Sequence, residues 1–125
     1  PVAMAAGLTQ LQILQNHPEY YDALERHAKL MAENIRKSAV KANAPVQVNQ
    51  CGALLCPYFT EHPVRCFADT QKSDLERFRK YFWGMFGRNL YLAPSQYEAT
   101  FVNVSHSQSD IDAFCAAADD VLKTL

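Results

Sequence analysis

The sequence predicts an α+β fold: a small, mostly antiparallel sheet covered by helices on one face. Two observations carry this. Apolar residues recur at intervals of three and four from Tyr21 to Ala39, from Leu75 to Met85 and from Ile111 to Leu125, which is the helical period. Between these stretches they alternate or run together over 45–50, 53–60, 89–92 and 100–104, with turn residues at the joints.

The chain opens with "PVAMAAGL". Pro1 suits a first helical turn, where its missing N–H is not needed, and Met4, Leu8 and Leu11 then share a face widened by Ile13 and Leu14. A helix pattern running from the first residue, without an initiator Met, gives the expectation of a piece of a longer polypeptide. Pro18, entered through Asn16-His17, ends this helix and starts another. Two regions are therefore expected: a connecting helix over 1–16 and an α+β domain over 17–125. The second helix places Tyr21, Leu24, Ala28, Met31, Ile35 and Ala39 on one stripe and ends near Asn43-Ala44-Pro45.

Strands are expected over 45–50 and 53–60, with Cys51-Gly52 as the turn or bulge between them. Pro57 has no N–H for a ladder, so its strand is expected at an edge or bulged. Ser73-Asp-Leu-Glu76 reads as a capping box opening a helix lined by Leu75, Phe78, Phe82 and Met85, and Gly87 is placed to end it in a left-handed cap. Strands at 89–92 and 100–104 flank a loop, and Ser107 to Asp110 opens the last helix. That helix buries Ile111, Phe114, Cys115, Ala118, Val121, Leu122 and Leu125.

Composition narrows the function. At 125 residues, 49% apolar and 20% charged, the chain has the balance of one globular domain with a modest core. Its net charge is −1 and its basic residues are scattered, so nucleic acid is not an expected partner. No run approaches the roughly 20 apolar residues of a membrane helix, so no membrane partner is expected either. Cys51, Cys56, Cys66 and Cys115 form no C-x-x-C, and His17, His27, His62 and His106 are dispersed, so no metal site is expected. Reduced thiols in the cytoplasm fit this pattern.

There is no glycine-rich phosphate loop, nucleophile elbow or zincin motif. The cluster Phe78, Tyr81, Phe82, Trp83 and Phe86 reads as core and interdomain packing rather than a binding stripe. Asp69, Asp74, Glu76, Asp110 and Asp112 read as helix N-terminal charges. One stretch stands apart. In "YLAPSQYEATFVNVSH" a single acid, Glu98, sits between two apolar runs where a hairpin would want Asn-Gly. Glu98 is either a solvated loop residue or the residue that the loop presents.

That stretch, followed by "SDIDAF", resembles the C-terminal domain of the glutamate-1-semialdehyde 2,1-aminomutase family, within the class III pyridoxal-phosphate aminotransferases. "PVAMAAGLTQLQIL" looks like the helix after that family's Ser-Gly-Asn-Pro segment. "CGALLCPYFTEHPV" is similar to its Gly-Ser-Met-Phe strand, with Ala53 and Leu54 in place of Ser and Met.

The resemblance implies the C-terminal small domain of a fold-type-I pyridoxal-phosphate transferase, its large cofactor-binding domain lying upstream. The whole enzyme would be a cytoplasmic homodimer. It would convert glutamate 1-semialdehyde, through a diamine, to the tetrapyrrole precursor 5-aminolevulinate, using pyridoxal and pyridoxamine 5'-phosphate. The Schiff-base lysine would also lie upstream, matching none of Lys29, Lys37, Lys41, Lys72, Lys80 or Lys123, so the segment alone would be inactive. Glu98 would be the catalytic residue contributed here, an acceptor-only carboxylate suited to an ammonium, with Ser95 and Gln96 as secondary substrate-binding candidates. The alternatives are a domain of another class III aminotransferase with a different amino donor, and a non-catalytic interaction module.

Overall fold

The computed structural model describes residues 1–125. Five helices and three strands follow in the order α1 (Val2–Asn16), α2 (Glu19–Lys41), β1 (Gln47–Cys51), β2 (Leu54–Tyr58), α3 (Phe67–Thr70), α4 (Leu75–Phe86), β3 (Thr100–Phe101) and α5 (Gln108–Leu122). The strands form one antiparallel sheet in the order β1-β2-β3. Helix α2 packs on α5 and on β1 and β2, and α4 packs on α5. The core between them is built from Ala28, Met31, Ile35, Leu55, Phe59, Tyr81, Met85, Phe114, Val121 and Leu122, each at most 5% exposed.

The stripes of α2 and α5 largely follow their spacing, though Tyr21 is exposed and Leu24 only partly covered. Helix α4 departs from the expectation, burying Tyr81 with Met85 while Phe78 and Phe82 are partly covered and Leu75 is exposed. Helix α2 buries Ala28, Met31, Ala32, Ile35 and Ala39, and α5 buries Ile111, Phe114, Ala117, Ala118, Val121 and Leu122; Cys115 and Leu125 are only partly covered. Ser38 Oγ donates to Asp119 and so ties α2 to α5, while the Arg36 guanidinium donates to the Val48 carbonyl at 2.6 Å and ties α2 to the sheet. Ser107 and Asp110, expected to open α5, form a capping box there. Helix α1 differs. None of its residues is buried, its first turn has no side-chain cap, and Met4, Leu8 and Leu11 are exposed.

Several local expectations are corrected. The hairpin turn is Gly52-Ala53, because Cys51 pairs with Leu54; Gly52 has φ +53°, the first-position geometry of a type II′ turn. Strand β2 lies centrally rather than at an edge. Pro57 is tolerated there because β3 reaches only Leu54 and Leu55, so beyond them β2 has a neighbour on the β1 side alone.

Ser73 does not cap α4. The Asp74 carboxylate accepts from the backbone N–H groups of Glu76 and Arg77, both at 3.0 Å, while the Asp74 N–H bonds to the Phe59 carbonyl at 2.9 Å. That bond sets Asp74, not Ser73, at the helix entry, and Ser73 turns inward. Gly87 keeps helical angles. The left-handed residue is Asn89, with φ +63°, flanked by Asn89 N–H to Phe86 O at 3.0 Å and Leu90 N–H to Met85 O at 3.1 Å. These are the paired bonds of a Schellman motif. With the Leu90 N–H used in this way, residues 89–92 form no strand. Strand β3 stops at Phe101 because the Asn103 side chain accepts from the Ser105 N–H at 2.9 Å and turns the chain. The four-residue helix α3 is absent from the sequence reading.

Of the cluster Phe78, Tyr81, Phe82, Trp83 and Phe86 only Tyr81 is fully buried, tilted on Phe59 at 5.5 Å between centroids, while Phe78 packs against the edge of the core. Phe82, Trp83, Phe86 and Tyr91 pack on one another instead, the last three mostly exposed.

The α4–α5 contact yields a first prediction. A Cβ on Gly84 would lie 2.7 Å from Val121 Cγ1 and 2.9 Å from its Cγ2, and Val121 is itself 2% exposed. Overpacking of this kind costs about 1–3 kcal/mol. Ala in place of Gly returns about 1 kcal/mol of helix propensity. The crowding wins, so Gly84→Ala is expected to lower the urea unfolding midpoint by the equivalent of about 1 kcal/mol. A raised midpoint would show that the two helices can part at no cost.

Candidate functional site

Side chains alternate across a strand, so Leu55 on β2 faces the helical core while Cys56 faces the other way. On that second face lies the turn Ser95-Gln96-Tyr97-Glu98. The turn closes on itself through the Glu98 N–H to the Ser95 carbonyl at 3.1 Å and the Tyr97 N–H to Ser95 Oγ at 3.2 Å. Ser95 is thereby a turn former as well as a cleft residue.

Gln96 is 3% exposed. Its Nε2 donates to the Thr70 carbonyl at 3.1 Å, and its Oε1 is buried without a partner. The Cys56 thiol, 8% exposed, lies 3.6 Å from the Gln96 carbonyl and 3.5 Å from the Glu98 carbonyl. Burial pushes the Cys56 thiol upward in pKa, against a smaller opposing hydrogen bond from Tyr58. Tyr58 is in turn pushed up to about 12, chiefly by desolvation. Both groups stay neutral at physiological pH, and the thiol serves as a donor rather than a nucleophile.

The Glu98 side chain is exposed and its carboxylate takes part in no hydrogen bond or ion pair, so the turn fixes its backbone and leaves its head free. Beside the turn is an open cleft of about 430 Å³, walled by Leu75, Phe78, Phe82, Trp83, Pro94 and Tyr97 and holding Arg79, Ser95 and Gln96. Arg79 is engaged by Glu76 at 2.7 Å. Two of the three candidates, Ser95 and Gln96, line the cleft; Glu98 stands just outside it. Cys56 and Thr70, which hold the turn, were not picked out from sequence. They lie 42 and 28 residues from Glu98, and no local motif announces either.

The cleft offers no lysine for an aldimine, and its one arginine, Arg79, is held by Glu76. All six lysines are exposed, Lys29, Lys37, Lys72 and Lys123 in ion pairs within their own helices or turns, and none lines the cleft. No three His, Cys, Asp or Glu side chains converge as metal ligands, and no helix is long and apolar enough to cross a membrane. All four cysteines are unpaired.

No family model matches the chain. Among curated proteins it is 44% identical over all 125 residues to the glutamate-1-semialdehyde 2,1-aminomutase of Desulfitobacterium hafniense, covering 29% of that protein. It is 41% identical over 122 residues to the aminomutase of Ruminiclostridium cellulolyticum and 42% identical over 125 to that of Persephonella marina. Among solved structures, an omega-transaminase from Sphaerobacter thermophilus matches 98% of the chain with a TM-score of 0.85 at 22% identity, over 28% of its own length. A transaminase with PLP bound matches 99% with a TM-score of 0.81 at 15% identity. The fold is therefore one that transaminases share. From end to end the chain is homologous to one segment of the glutamate-1-semialdehyde 2,1-aminomutases, spanning 28–29% of the length of these relatives.

Proposed function

We propose that this chain is the C-terminal part of a glutamate-1-semialdehyde 2,1-aminomutase, which converts glutamate 1-semialdehyde to 5-aminolevulinate for tetrapyrrole synthesis. The observation that carries the reading is 41–44% identity along the whole chain to proteins of that name. Pyridoxal or pyridoxamine phosphate supplies the electron sink when bound, held by parts of the enzyme outside this chain. What this chain contributes is a fixed turn with a free acid. The Glu98 carboxylate only accepts hydrogen bonds, so it suits a substrate ammonium and repels a carboxylate.

Helix α1 supports the division at His17. A 15-residue helix without a cap or a buried face is marginal in water, so it takes its stability from a partner. We assign residues 1–16 to the connection between this domain and the larger cofactor domain, and 17–125 to the domain proper. The enzyme is read as a homodimer working in the cytoplasm, a compartment in which four unpaired thiols persist.

The test uses the full-length enzyme carrying this segment, given glutamate 1-semialdehyde with no other amino donor or acceptor. Formation of 5-aminolevulinate is expected. A requirement for a second amino donor would assign the segment to an intermolecular transaminase instead.

A further inference from the structure

We propose that Cys56 and Gln96 are positioning residues that fasten the Ser95–Glu98 turn to β2 and to α3, and so set where the Glu98 carboxylate stands. The inference rests on the reading of Glu98 given above and extends it to residues with no assigned role.

The turn's internal bonds shape it without attaching it to the domain. Its hydrogen-bonded attachments are the Cys56 thiol, which reaches the carbonyls of Gln96 and Glu98, and Gln96 Nε2, which reaches the carbonyl of Thr70 on α3. Both anchoring side chains are more than nine-tenths buried, so water cannot replace a lost donor. A thiol carries one proton, shared here between two carbonyls of the same turn; losing it leaves both without that donor. One of them is the carbonyl of Glu98 itself. The far anchor is also fixed, because Asp69, next to Thr70, accepts from the Arg65 N–H and from Lys72, both at 3.1 Å. Backbone pinned at both ends with an unrestrained side chain is what a residue presented to a ligand requires.

Two arms test the proposal. In the 125-residue chain, exchange of the Tyr97 and Glu98 amide protons is followed by NMR. Cys56→Val, which keeps the volume and removes the donor, is expected to speed both by about two- to tenfold, the scale of one lost hydrogen bond. Cys56→Ser, which restores an O–H donor, is expected to bring them back, and Gln96→Leu is expected to act like Cys56→Val. Unchanged exchange in both Cys56→Val and Gln96→Leu overturns the fastening.

In the full-length enzyme, Cys56→Val is expected to lower kcat by about tenfold, since small displacements of a reacting group cost up to a hundredfold. The loss should vanish in a Glu98→Gln background. Losses that multiply in the double variant overturn a role through Glu98. A silent Glu98→Gln together with faster exchange in Cys56→Val refutes the role of Glu98 and leaves the fastening standing.

Discussion

Replacing Phe59 by Ala is expected to remove about 3–5 kcal/mol of folding stability. The ring is 2% exposed, packs on Tyr81, and lies where the sheet hands over to the entry of α4. Its carbonyl also holds the Asp74 N–H, so a shift of Phe59 reaches the cap of α4. Tyr81 beside it, and Leu55 and Met85 in the same core, are all at most 1% exposed and already packed. Domains of this size hold about 5–15 kcal/mol in all. Urea unfolding should show a midpoint lower by roughly 2 M, given slopes of about 1–3 kcal/mol/M. Phe59→Leu, which leaves a smaller void, should fall between. A loss below about 1 kcal/mol for the Ala variant would mean that the core can close without this ring.

The second large effect concerns chemistry. In the full-length enzyme, Glu98→Gln is expected to slow 5-aminolevulinate formation by roughly ten- to a hundredfold, because a hydrogen bond to a charged group contributes about 1.5–3 kcal/mol. The fold should be untouched, since the carboxylate has no partner within the domain and Gln preserves its length. The amide can still accept a hydrogen bond but has lost the charge that holds an ammonium. Free diamine is therefore expected to escape from the variant faster than from the parent. If turnover and escape both match the parent, Glu98 is a loop acid facing water.

How much of this was legible in the sequence depends on how local the cause was. The stripes of α2 and α5 are set by residues three and four apart, and periodicity shows both. On α4 it shows the helix but assigns Leu75 and Phe82 to the buried face, where Tyr81 stands with Met85. The two cap signals looked alike, yet only Ser107-Asp110 forms a box. At Ser73-Glu76 the deciding contact is the Phe59 carbonyl, 15 residues upstream of Asp74. Glycine reaches positive φ without cost, which points to Gly87 as the helix terminator, but Asn89 can do so too, and the hydrogen bonds of the Asn89 and Leu90 N–H groups to the helix end decide for Asn89.

Residues 89–92 form no strand because the Leu90 N–H closes the end of α4 on the Met85 carbonyl, a bond that alternation within the segment cannot reveal. The site shows the same division. Its unusual acid was visible in one line of sequence. Its support was not, since Cys56 reads as one more apolar position in a strand and Thr70 sits in a helix of only four residues.

Whether this chain is a working segment of an aminomutase is decided by a segment exchange. The stretch of the Desulfitobacterium hafniense aminomutase that this chain matches would be replaced by residues 1–125, and 5-aminolevulinate formation from glutamate 1-semialdehyde measured. The hybrid is expected to turn over within about tenfold of its parent, the scale of a 1.4 kcal/mol misfit. A hybrid that folds and binds the cofactor yet forms no 5-aminolevulinate would show that this chain does another job.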